Sequence, residues 1–188
     1  MRDVIVAGIA GALLLARGKP QGVVLMEATP DGAWRSFAAA LICLPALLAI
    51  RVLAWASFGA PEGGLLRTLT AETTAYAIAW VGFALLSLPL AKAWGQAAAW
   101  PRFIAAWNWT NIVQYGLMLA LTVPAALGLP GSVVQVLTLL GVAYALWLEW
   151  FVTRHALGVD RGRAAAMVGL DLALGLFLAG LIRNLSGG

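Results

Sequence analysis

Apolar stretches long enough to cross a membrane recur along this chain and leave few options for its fold. Between Arg163 and Arg183 stand nineteen residues with Asp171 as their single charge. Comparable stretches cover about Trp34–Phe58, Ala71–Ala91, Arg102–Leu127 and Ser132–Val152. An α-helix rises ~1.5 Å per residue, so about twenty apolar residues cross a hydrocarbon core of ~30 Å. Lipid offers the backbone no hydrogen bonds, which makes each such segment helical. The fold class read from this pattern is all-α: a polytopic integral membrane protein with five transmembrane helices, at about 34–58, 71–91, 102–127, 132–152 and 164–182. The charge content agrees. Only 11% of the residues are charged, against about 25% in soluble domains, too few to build a water-facing surface.

The first residues fit this scheme differently. Val4–Ala16 is an apolar run of thirteen residues between Asp3 and Arg17. As a helix it would be only ~20 Å long. No small-x-small cleavage pattern precedes Arg17 and Lys19, so an uncleaved interfacial or re-entrant helix is expected rather than a signal peptide. Residues 1–33 are read as a cytoplasmic or interfacial N-terminal segment, and 34–188 as the transmembrane domain. Thr29-Pro30-Asp31 is a helix start: a capping hydroxyl, a proline at the first helical position and an acid in the first turn. Gly59–Leu69, with Glu62 and Arg67, reads as a loop, and Gly128-Leu129-Pro130-Gly131 as the turn of a helical hairpin.

Charge sets the expected orientation. Five spans place the termini on opposite sides. With the N-terminus inside, nine of the twelve basic residues fall inside, leaving Arg51, Arg67 and Arg183 outside. The positive-inside rule then favours a cytoplasmic N-terminus, in a bacterial inner membrane. Arg51 is expected to snorkel toward the far interface beside Trp55. The basic residues lie scattered at segment ends and form no patch, so the net charge of +4 does not point to nucleic acid. With one histidine and one cysteine, Cys43, there is no pattern for a metal site. No serine stands at a suggestive spacing from a base, so an enzyme is not expected, and no cofactor is implied.

The third span carries the most unusual pattern. In Trp100–Tyr115, Asn108, Asn111, Gln114 and Tyr115 occupy positions where a lipid-facing helix would carry leucine. With Trp107, Met118 and Thr122 they fall within an arc of roughly 120°. The fourth span repeats the theme, with Gln135, Thr138, Glu149 and Thr153 within about 60°. The fifth carries Asp171. Counted from the cytoplasmic ends, Asn108 lies roughly 9 Å deep, Asn111 about 14 Å, Glu149 about 7 Å and Asp171 about 12 Å. Asn108, Asn111, Gln114, Tyr115, Glu149 and Asp171 therefore form a candidate cluster facing the cytoplasm. It would bind a small polar or cationic ligand or relay protons. The plainer reading is interhelical hydrogen bonding, with Glu149 snorkelling toward Arg154.

The segment ALWLEWFVTRHALGVDRGRAAAMVGLDLALGLFLAGLI (Ala145–Ile182) resembles bacterial members of the Yip1 family. Its features are an aromatic-ended helix, the short loop Ala156–Asp160, and Arg163-Ala164-Ala165 leading into the last span. The overall plan, a cytoplasmic N-terminal region followed by five spans, is also similar, and the resemblance extends over roughly the last 85 residues. It implies a non-enzymatic role in membrane organisation, with the lipid bilayer and a protein partner or a second copy of the chain as its contacts. The alternative is a small transporter or substrate-binding membrane subunit that uses the polar cluster. The TspO-type sensory proteins also have five spans and many tryptophans, but their Trp-x-Pro-Pro element has no match here.

Overall fold

The computed structural model of the protein describes residues 2–59 and 63–186. Those residues form helices and the turns between them, with no strand among them. α1 spans Arg2–Ala16, and a 3-10 segment follows at Pro20–Leu25. α2 (Pro30–Ser36) bends at Phe37 into α3 (Ala38–Phe58). Then come α4 (Leu65–Ala93), α5 (Trp100–Ala120), the single turn α6 (Val123–Ala126), α7 (Gly131–Ala156) and α8 (Arg161–Ser186). Four of these units are long and apolar enough to cross a membrane: Pro30–Ala56, α4, α7 and Arg161–Asn184 of α8.

The local signals work as their chemistry requires. The Thr29 hydroxyl accepts a hydrogen bond from the Gly32 amide at 3.0 Å, capping α2. Gly128 closes α6 with φ of 72°. The Leu129 amide then reaches back to the Pro124 carbonyl and the Gly128 amide to Ala125, so the hairpin turn forms where expected.

Boundaries move in three places. The span expected over 102–127 is not one helix, because α5 stops at Ala120 and α6 begins at Val123. Pro124 has no N–H for the Ala120 carbonyl, so the ladder cannot run through. The helix expected from 71 starts at Leu65, and the Thr73 hydroxyl bonds back to the Leu69 carbonyl inside it. Of the expected loop over 59–69, residues 60–62, with Glu62, lie outside the described residues.

α5 is the axis of the assembly, packed by α1, α2, α3 and α7. All nine residues from Phe103 to Asn111 are buried. Trp107 stacks on Phe83 of α4 with ring centroids 4.4 Å apart, and Trp80 and Phe103 meet the same pair edge-on. α1 joins this core through Ala12 and Leu15. Gly8 lies flat on the Trp109 indole, where any larger side chain would enter the ring. The Tyr144 hydroxyl of α7 donates to the Ala16 carbonyl at the end of α1, at 2.6 Å. Away from the axis, α4 and α8 pack side by side and α8 against α7. Their outer faces carry Leu85, Leu139, Leu140, Leu176 and Phe177, all well exposed and suited to lipid.

Candidate functional site

The polar residues of α5 take different directions as the helix advances. Asn108 is fully buried, and its amide donates to the Ser36 hydroxyl at 2.7 Å. Ser36 in turn donates to the Ala33 carbonyl. This pair ties the last turn of α2 to the axis and keeps Asn108 away from the expected cluster. One turn on, the Asn111 amide donates to the Trp107 carbonyl of its own helix.

Gln114 is where the polar face meets open space. Its amide makes a long contact of 3.4 Å to the Ala145 carbonyl of α7. Beside it a cavity of about 280 Å³ is lined by Gln114, Glu149 of α7 and Asp171 of α8. Glu149 and Asp171 thus border the same space from two neighbouring helices. Glu149 is 6% exposed, and its Oε1 has no hydrogen-bond partner in the protein. It does not snorkel to Arg154, whose guanidinium instead sits over the Trp150 ring at 5.5 Å.

Two further cavities adjoin this one. Gln114 also lines a space of about 350 Å³ with Asn111, Tyr115, Met118 and Arg51. Tyr115 and Arg51 also line another, of about 430 Å³, with Glu72, Tyr76 and Arg183. Gly175 borders both this space and the acidic one. A run of polar groups thus connects the acidic pair to the α3–α4 end of the bundle. Tyr76 is held there by its hydroxyl, which donates to the Ala40 carbonyl at 2.7 Å.

That end holds the pair which sequence reasoning missed. Arg51 Nη2 meets Glu72 Oε2 at 2.8 Å, with the Glu72 side chain only 10% exposed. Arg51 therefore bridges α3 to α4 instead of reaching the interface beside Trp55. A usable signal was present: Arg51 stands seven residues before Phe58 and Glu72 seven after Leu65, equal steps from the ends that the loop joins. Opposite charges at equal depth on consecutive helices are placed to meet.

Of the six candidate residues, the structure gathers Gln114, Glu149 and Asp171 around one cavity and Asn111, Gln114 and Tyr115 around the next. The Asn108 amide nitrogen is taken up by Ser36, while its buried Oδ1 has no partner among the described residues. Among the described residues no group of three or more His, Cys, Asp or Glu side chains is arranged to hold a metal ion. The chain matches no protein-family model, and neither curated proteins nor solved structures give a match.

Proposed function

We propose that the protein binds a small cationic solute between α5, α7 and α8, as a transporter or the solute-binding subunit of one. The observation that carries this reading is Glu149 Oε1, buried without a partner and next to a second carboxyl in a cavity that no basic residue lines. Arg51, which lines the adjoining cavities, is already paired with Glu72. Two carboxyls lining one low-dielectric site hold either a proton or a cation between them. A space of about 280 Å³ suits an ammonium compound of a few carbons. The reading includes five spans in a bacterial inner membrane. α5 would be the fifth, since 21 residues reach ~31 Å and its polar positions are covered by its neighbours. The count of basic residues supports a cytoplasmic N-terminus, which a reporter fused at Gly188 tests by answering from the opposite side.

The deciding experiment is calorimetric titration of the purified protein with methylammonium and tetramethylammonium in two buffers of different ionisation heat. Binding with proton release is expected. Glu149→Gln and Asp171→Asn should weaken it at least tenfold and remove the proton release while leaving thermal unfolding near wild type. Failure of both probes to bind, or equal binding by both variants, rules the reading out. The scaffold role implied by the Yip1-like resemblance then stands in its place. It draws support from Val24 and Trp34 at the N-terminal end, about 80% exposed and free to meet a partner or the bilayer.

A further inference from the structure

The lining of the cavity between α5, α7 and α8 bears on which kind of cation it would hold. Glu149 Oε1 is an acceptor buried without a partner, and Asp171 adds a second carboxyl to the same lining. Gln114 is the remaining polar side chain there. It makes the 3.4 Å contact to the Ala145 carbonyl, and a carbonyl only accepts, so the amide nitrogen is the end that faces it. Gln114 Oε1 is left to accept from another donor. Three side chains thus bring acceptors to one space. The rest of the lining is alanine, glycine and leucine, with no aromatic ring. A quaternary ammonium has no N–H and is recognised by the faces of aromatic rings. In this cavity it would find no ring and would leave the buried acceptors without donors, which costs binding. An ammonium with N–H bonds meets the charge and the acceptors together.

We propose that the site selects a primary alkylammonium over a quaternary one, with Gln114 as a specificity-determining residue. Gln114 Oε1 accepts one N–H of the solute, and Glu149 and Asp171 accept the others. Leu146, Leu172 and Leu176 give its carbon chain an aliphatic wall. The assignment rests on the cation site proposed above.

The test uses n-butylammonium and tetramethylammonium, isomers of the same charge that differ in carrying N–H bonds or none. Both are small against a space of about 280 Å³, so volume does not separate them. Calorimetric titration of the purified full chain is expected to give butylammonium the tighter binding by about tenfold or more. Gln114→Leu should cut that ratio about fivefold by weakening butylammonium alone, with thermal unfolding near wild type. A purely structural part for Gln114 would weaken both ions alike and leave the ratio unchanged, which overturns its role. Equal binding of the two ions by wild type overturns the amine assignment. If Glu149→Gln then weakens both, the cation site itself survives. Binding of neither ion overturns the assignment as well, and the methylammonium titration then says whether the cation site stands.

Discussion

The two halves of α5 put similar residues to opposite uses. From Phe103 to Asn111 every residue is buried, whereas from Ile112 to Ala120 none is. In the first half Asn108 finds Ser36 at hydrogen-bonding distance and becomes a brace. In the second, Gln114 has only a long contact to a carbonyl and faces a cavity with two acids. The same kind of side chain is glue where neighbours close around it and a binding group where they do not. What separates the halves is the N-terminal cap: α1 and α2 enclose the start of the axis, while the far end is left to α3, α4 and α7.

That contrast can be broken in order of size. Phe83 is fully buried in the aromatic stack, so Phe83→Ala should cost about 3–5 kcal/mol, read as a large drop in thermal unfolding in detergent. Met118→Ala, on the cavity side, should cost about 1 kcal/mol or less, since no tight packing is lost. Equal losses would mean the halves are packed alike. Next, Glu72→Leu leaves Arg51 without its partner and should cost about 1–3 kcal/mol, moderated by the partial exposure of the arginine. The double variant Arg51→Leu/Glu72→Leu should recover most of this, and a double-mutant cycle gives the coupling.

A finer comparison sets Asn108→Leu against Gln114→Leu. The first removes a short buried bond and should cost about 1–2 kcal/mol, while the second should stay within about 0.5 kcal/mol. The smallest effect lies outside both halves, at Asp160, whose carboxylate accepts from the Arg163 and Gly162 amides and caps α8. Those bonds, the Arg163 amide first, hold its carboxyl below the usual range. Its contribution is therefore complete above the ordinary carboxylate value of about 4 and is lost as pH falls through the lower folded value. The small gap in unfolding temperature between wild type and Asp160→Ala should narrow correspondingly on acidification.

Signals local to a few residues were fully legible in the sequence. The Thr29 cap, the Gly128 turn and the polar positions of α5 each depend on chemistry within one or two turns. What could not be read was which distant groups would meet. Asn108 and Ser36 lie 72 positions apart, and no periodicity within either helix specifies their contact. The length of α1 argued for a place at the interface because thirteen apolar residues cannot span lipid, but length is silent on packing. Gly8 and Ala12 give α1 a thin face, and only the presence of Trp109 opposite turns that face into a joint. The Glu149–Asp171 pair was anticipated from depth along two helices, because neighbouring antiparallel helices translate depth into proximity.

The seat of α1 also has a consequence in time. Its flat contact is with Trp109, and its end is fastened by Tyr144, 128 positions further along the chain. The Pro20–Leu25 segment can pack on α1 as soon as it is made, whereas the Trp109 face arrives only with α5 and the last bond must wait for α7. α1 thus completes its packing well after it is made, and until then the side that will meet Trp109 needs lipid or a chaperone as cover. Closure of the N-terminal end would then mark completion of the bundle, so that a chain stopped before Tyr144 could not make the bond that finishes it.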